Sequence, residues 1–587
     1  MAFKRTLPFL LCLALALAFS SAIAFADEAG TAEVDPVDET YIATDAEIEY
    51  ALSNGVEGMP AIADTLANEV SDSKSAPATR ATKSAATYKV ATYSGKTRYD
   101  TSAKIAKAAF PDGVASKTAI LAGGDAWADA LSASTLAGAI DCPILLTPTA
   151  NLSAYTISAL EALGIESVII VGGDVAVSED VVAELEESSI TVTRLCGETR
   201  YETCAAIYEY GLEQGFWDGS QIIFASGGGF ADALSISPVA FKEVIPIILT
   251  PKSGELGEAQ TSLLDADAAF SKAIVVGGEA AVSKAIYDDL SSRLEANTGN
   301  ADITRLYGAN RYVTSGEIAK WAVAQGYLTW NNSAFASGTA APDALSGGPL
   351  QGKNGATLLL ISKSNEKTLS YIPKSGTEQV FVLGGKAAVR PSTRNSIAYT
   401  LGFKLTDIEG FKLYLDAGHG WNNRGNNVND PGACKNGYQE YKLTKDLANL
   451  VANQLRSTYG IEVFVNDDGG PYYLRHAEAV ALDCNAIVSI HFNSSESSSP
   501  SGTESYIHSN NASKWSSKMR STVHNYLVEG TGLKDRGKLK DEFAILSGEL
   551  PSTLLEICFV SNKSDMKQYE SRKNIIVEKL AEGIYKM

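Results

Sequence analysis

Between about residue 89 and residue 405 the chain repeats itself three times, and whatever it folds into must accommodate that. Four short markers recur in the same order in each copy. The first is Gly95-Lys-Thr-Arg98-Tyr99, then Gly197-Glu-Thr-Arg200-Tyr201, then Gly308-Ala-Asn-Arg311-Tyr312. The second is Trp127-Ala-Asp129-Ala-Leu131-Ser132, Phe230-Ala-Asp232-Ala-Leu234-Ser235 and Ala341-Pro-Asp343-Ala-Leu345-Ser346. The third is an apolar run: Ile144-Leu145-Leu146, Ile247-Ile248-Leu249 and Leu358-Leu359-Leu360. The fourth is a glycine pair (Gly172-Gly173, Gly277-Gly278, Gly384-Gly385), each followed by an Ala-Val pair. The marker arginines lie 102 and 111 residues apart and the aspartates 103 and 111. Within each copy, short wholly apolar runs alternate with helical patterns. Such runs are strands buried on both faces, so each unit is expected to hold a parallel sheet covered by helices. The glycine pairs fall at a strand's C-terminal end, where the backbone must turn sharply. They lack the Gly-x-Gly-x-x-Gly spacing and a downstream ribose-binding acid, so a nucleotide site is not read from them.

At 587 residues the chain is too long for a single core. Lys4 and Arg5 precede an apolar run that closes on Ala24-Phe25-Ala26. That is the pattern of a signal peptide over 1–26, and no later window is apolar enough to span a bilayer. Residues 27–88 read as an acidic leader or linker. Thirteen acidic and no basic residues lie between Asp27 and Asp72. They account for much of the net charge of −20, which disfavours a nucleic-acid partner. From Glu409 onward there are 22 acidic and 20 basic residues, so the C-terminal part is close to neutral. No Cys-x-x-Cys pair is present, so a thiolate metal site is not expected. Cys484 and Cys558 read as buried thiols, and a Cys196–Cys204 bridge is considered but not favoured.

A new strand–helix alternation begins after the repeats, over 409–587, and all five histidines lie in it. Strands are expected at 412–416, 461–465, 486–492 and 553–560, with helices at 440–458, 474–483, 512–528 and 566–586. His419 follows the first strand in Asp416-Ala-Gly-His419-Gly420, and His491 ends the apolar run from Ala486. Parallel strands bring their C-terminal ends to one sheet edge, where α/β proteins place their sites. Glu440 opens an amphipathic helix that reaches the same edge. Two neutral imidazoles and a carboxylate suit Zn2+ with three protein ligands and one open position. Glu556 lies inside the apolar run Leu554-Leu555-Glu556-Ile557-Cys558, where an unpartnered carboxylate is costly. Facing a zinc site, it could take a proton from water and pass it to a leaving amine.

The triplicated region resembles the type 2 cell-wall-binding repeats of Gram-positive surface proteins. The resemblance implies three small α/β units about a pseudo-threefold, at 89–190, 191–300 and 301–405. It also implies non-covalent attachment to an anionic cell-wall polymer, with the apolar triplets linked to anchoring. Arg98, Asp129 and their equivalents would be either wall contacts or an internal salt link. Residues 409–587 resemble the zinc-dependent N-acetylmuramoyl-L-alanine amidases. The pieces that match are Asp416-Ala-Gly-His419-Gly, Asp430-Pro-Gly-Ala433, Glu440, Arg475, Ser489-Ile-His491-Phe-Asn493, Gly502-Thr-Glu504 and Leu555-Glu556-Ile-Cys-Phe559. By that resemblance His419, Glu440 and His491 hold Zn2+ and Glu556 is the catalytic base. Asp416 and Arg475 are given structural roles, and His476, His508 and His524 surface or packing roles. The segment from Trp421 to Asn429 sets Asp430 further from His419 than the family pattern does. The expectation is therefore an α/β multidomain chain with three repeat units and an α/β zinc-hydrolase domain. It would be secreted to the wall and would cut the amide between N-acetylmuramic acid and L-alanine of peptidoglycan. A zinc peptidase acting on stem-peptide bonds and an inactive surface or adhesion protein are the alternatives.

Overall fold

The apolar runs of the repeats become parallel strands, and each repeat region holds a four-stranded sheet. A computed structural model describes residues 88–587, apart from 126, 253, 267–268, 341, 425–427 and 468. The expected signal peptide and nearly all of the acidic leader lie outside the described residues. The first sheet runs Ile144–Thr147, Thr118–Gly123, Ser167–Val171, Thr191–Leu195. The second runs Ile247–Thr250, Gln221–Ser226, Lys272–Val276, Ile303–Leu306. In both, the last strand belongs to the start of the next sequence repeat. The third sheet runs Ala356–Ile361, Thr329–Ser337, Val380–Leu383, and its last strand is Val90–Tyr93 from the beginning of the first repeat. Sheets and sequence repeats are thus offset by one strand, and the offset closes the three units into a ring.

The markers make sense in that ring. Gly172, Gly277 and Gly384 have φ of +110°, +106° and +105°, a backbone that side chains resist. A Cβ there would also lie 2.9, 2.6 and 2.5 Å from the carboxylates of Asp129, Asp232 and Asp343. Each aspartate faces the arginine of the following repeat: Asp129 faces Arg200, Asp232 faces Arg311, and Asp343 faces Arg98 across the closure. Burial raises all three carboxyls and the arginines oppose it, leaving Asp232 at about 6. Each arginine is anchored by donating Nη1 to the carbonyl of Gly124, Gly227 or Gly338 at 2.8–3.0 Å. Each marker aspartate therefore faces an arginine of another unit, while Arg98 also forms an ion pair with Asp125 of its own unit at 2.6 Å. The nine side chains of the apolar triplets are at most 2 % exposed, so they build the sheets and present nothing to a polymer. Helices Ala133–Ile140, Ala231–Glu243 and Gly347–Asn354 meet at the centre through small residues. A Cβ on Gly348 would fall 2.7 Å from Ser237 Oγ and 2.9 Å from Ser134 Oγ.

The C-terminal sheet has six strands in the order Glu462–Asn466, Lys412–Ala417, Ala486–Asn493, Ser552–Phe559, Thr503–His508, Asp535–Asp541. The only antiparallel pair in it joins Thr503–His508 to Ser552–Phe559. Helices Glu440–Gln454, Ser516–Thr531 and Lys563–Lys586 cover it. This domain shares a hydrophobic core with the third repeat: Val380, Val382, Ile397 and Tyr399 join Leu405, Ile408, Leu413 and Leu580. Asn395 and Asn485 exchange hydrogen bonds at 2.7 and 3.1 Å, both side chains buried. Trp515 packs against Tyr399 with ring centroids 4.9 Å apart and the rings tilted by 45°. No described helix is long and apolar enough to cross a membrane. The six described cysteines are all free. Cys204 is buried and donates to Ile247 O, so the Cys196–Cys204 bridge does not form.

Candidate metal centre

His419 stands on a turn that nothing local would hold. Its φ is +67°, a left-handed conformation uncommon for a side-chain-bearing residue, and Gly420 follows at +100°. Arg475 supplies the restraint. Its guanidinium donates to Asp416 Oδ1 at 2.6 Å, to the His419 carbonyl at 2.9 Å and to Asn423 Oδ1 at 2.8 Å. Asp416 and Arg475 are 1 % and 3 % exposed, and Ser489 Oγ donates to the second Asp416 oxygen at 2.5 Å. Thr444 Oγ1 donates to Gly418 O at 2.8 Å, tying the turn to the helix that Glu440 opens.

Three sequence-named residues meet there. His419 Nε2 is 3.1 Å from Glu440 Oε2, and His491 Nδ1 is 3.1 Å from Glu440 Oε1. The ligand atoms of the three lie within 4.8 Å of one another. The backbone has been thinned to let them converge: a Cβ on Gly418 would lie 2.3 Å from His491 Cε1, and one on Gly432 2.6 Å from Glu440 Oε2. Burial alone would raise the Glu440 carboxyl, but hydrogen bonds from both histidines hold it well below the usual carboxylate range. Burial would likewise lower His419, yet hydrogen bonds to Glu440 and Asp430 raise it. Two imidazole nitrogens and a carboxylate converging in this way fit Zn2+.

Glu556 sits opposite His491 on the neighbouring strand. Its Oε2 is buried with no hydrogen-bond partner among the described residues. Burial pushes this carboxyl well above its ordinary value, and the charges of Glu440 and Glu504 add to the effect. All four sequence-named residues therefore share one edge of the sheet.

Two contributors had no role assigned from sequence. Asp430 accepts at 3.1 Å from His419 Nδ1, at 2.7 Å from Asn423 Nδ2 and at 3.1 Å from Gly432 N. The segment between Trp421 and Asn429 does not separate it from His419, because Gly420–Trp421 and Asn429–Asp430 pair as a hairpin. Glu504, buried beside Glu556, accepts from Asn493, Tyr506 and Arg536. The signal for both was present, since each lies in a segment that carried the family resemblance. His476, His508 and His524 are buried rather than at the surface, and each is engaged away from the centre. His476 bonds to Ile545 O, His508 accepts from Asn510 N, and His524 joins Ser505 to Asp535.

Residues 413–586 match the family model described as N-acetylmuramoyl-L-alanine amidase, and 92–182, 194–287 and 305–394 match cell wall binding domain 2. The C-terminal domain is an N-acetylmuramoyl-L-alanine amidase domain, and three cell wall binding domains precede it. Among relatives of this amidase is the N-acetylmuramoyl-L-alanine amidase LytC of Bacillus subtilis, 28% identical over 496 residues, 84% of this chain and 92% of LytC. Another is the sporulation-specific N-acetylmuramoyl-L-alanine amidase of the same species, 28% identical over 177 residues, 29% of this chain and 64% of the relative. A solved structure, Cwp6 from Clostridium difficile, is 27% identical with a TM-score of 0.47, over 87% of the amidase chain and 81% of Cwp6. Within this chain the three wall-binding repeats and the catalytic domain are recognised separately.

Proposed function

We propose that this amidase hydrolyses the amide joining the lactyl group of N-acetylmuramic acid to L-alanine in peptidoglycan, with His419, Glu440 and His491 holding Zn2+ and Glu556 moving the proton. The observation that carries this reading is the convergence of three ligand atoms beside a buried carboxylate oxygen with no other partner. When bound, zinc supplies a Lewis acid that polarises the amide carbonyl and makes water acidic enough to lose a proton near neutral pH. Glu556 takes that proton and delivers it to the nitrogen as the carbon–nitrogen bond breaks, so L-alanine leaves as a free amine. Asp430 fixes the tautomer and orientation of His419 through Nδ1, leaving Nε2 for the ion. Arg475 keeps His419 on its strained turn. The repeats hold the enzyme at an anionic wall polymer of a Gram-positive cell. Export through the segment 1–26 delivers the enzyme there.

Full-length protein incubated with purified peptidoglycan should release stem peptides with a new N-terminal alanine. Cleavage confined to bonds inside the stem would make it a zinc peptidase, and no release at all an inactive surface protein. The same protein carrying Glu556→Gln should still sediment with purified walls, which tests attachment without digestion.

A further inference from the structure

The sheet order gives the reaction site a direction. The ligand residues lie on strands Lys412–Ala417 and Ala486–Asn493 and at the start of the Glu440 helix; Glu556 lies on the next strand, followed by Thr503–His508 and the edge strand Asp535–Asp541. A base that protonates the leaving amine must have that amine on its own side. On that side the sheet continues from Glu556 toward the edge strand, where the departing peptide would lie. That strand has the sequence Asp-Arg-Gly-Lys-Leu-Lys-Asp, and Arg536, Lys538 and Lys540 are cations along it.

Arg536 is placed by a β-bulge. Thr503 pairs with Asp535 but Glu504 pairs with Gly537, so Arg536 is the extra residue. Bulges re-aim a side chain, often beside active sites. The bulge is pinned by Asp535, which accepts from His524 Nε2 at 3.0 Å and from Gly537 N at 2.8 Å. The guanidinium lies over the Phe559 ring at 4.8 Å and donates Nε to Glu504 Oε2 at 2.6 Å. Glu504 is held in turn by Asn493 and Tyr506, and it pairs directly opposite Glu556. Only Nε of Arg536 is used, so both Nη groups make no hydrogen bond to a described residue, and the side chain is 33% exposed. A planar cation held through Nε, with both Nη groups left without a hydrogen bond to a described residue, can receive a carboxylate.

We propose that Arg536 determines specificity by binding a carboxylate of the stem peptide on the leaving-amine side of the scissile bond. This rests on the amidase reading above. Two synthetic muramoyl peptides that differ only in whether the carboxylate next to the L-alanine residue is free or amidated provide the test. The full-length enzyme should favour the free carboxylate by about 10- to 100-fold in kcat/KM, the range expected for one charged hydrogen-bonded pair. Arg536→Gln should erase the preference, mainly through KM, and Arg536→Lys should restore part of it. Titration calorimetry gives a readout apart from turnover: the released peptide with a free carboxylate should bind the wild type more tightly than Arg536→Gln. A wild type that cuts both substrates equally, or a variant that loses the same factor on both, would overturn the inference while leaving the amidase reading intact. If the wild type cuts neither muramoyl peptide, the amidase reading fails and this inference falls with it.

Discussion

His419 illustrates how a reactive group is held against its own preference. A left-handed histidine costs on the order of 1–3 kcal/mol and survives only where the surroundings over-determine it. Here Arg475 does so, from a buried ion pair with Asp416 and a hydrogen bond to the His419 carbonyl. Arg475→Met should therefore strand a buried carboxylate and lower stability by about 3–5 kcal/mol, measured by denaturant unfolding. It should also weaken zinc retention, read by metal analysis after dialysis. Asp430→Ala leaves the three ligands in place but frees Nδ1 of His419. Zinc affinity is expected to fall about 10- to 100-fold, followed by competition with a chromogenic chelator. Glu556→Gln should keep zinc and lose about 100- to 10,000-fold in turnover. Normal activity in that variant would remove the proton-transfer role.

At the scale of elements, the apolar runs announced their strands because a strand buried on both faces has no polar face to confuse the pattern. Strands Lys412–Ala417, Glu462–Asn466, Ala486–Asn493 and Ser552–Phe559 fall within a residue or two of their expected places. Thr503–His508 and Asp535–Asp541 did not register as strands. The second is almost wholly polar and mostly exposed, as an edge strand that must avoid pairing with other chains tends to be. In the ring, the strand before each arginine marker looks in sequence like the start of its own unit, yet it completes the preceding sheet. The buried aspartates at these joints make a pH prediction. Asp232 titrates at about 6 in the folded chain because burial disfavours its charge. An unfolded aspartate titrates near 4, so the folded state binds the proton more tightly. The stabilisation this brings is present at acid pH and is lost as pH rises through about 6. Asp232→Asn should accordingly be more stable than wild type above pH 6, by on the order of 2 kcal/mol, with the difference vanishing toward pH 4. Urea unfolding across that range would check it; a difference that grows on acidification would contradict it.

The molecule as a whole is closed twice. Val90–Tyr93 completes the third sheet, and Glu409 N and Met587 O reach back to Val90 and Leu405. The third repeat and the catalytic domain share one core. Isolated 409–587 should consequently expose apolar surface and unfold at lower denaturant than the full chain, a comparison that intrinsic fluorescence can make. Removing residues through Tyr93 should bare the Val380–Leu383 edge and promote association, visible by light scattering. Composition and spacing alone establish three like units, their apolar strands, a C-terminal region of different pattern and residue types that would suit a metal site, because each of these is written in local pattern. They leave open which arginine meets which aspartate, that the first strand closes the last sheet, that Asp430 returns to His419 and that Arg536 is turned by a bulge. Those relations join residues far apart in the chain, or depend on one unpaired residue in a strand, and only packing decides them. His419, first legible as a lone histidine between glycines, owes its position to Arg475, 56 residues further on.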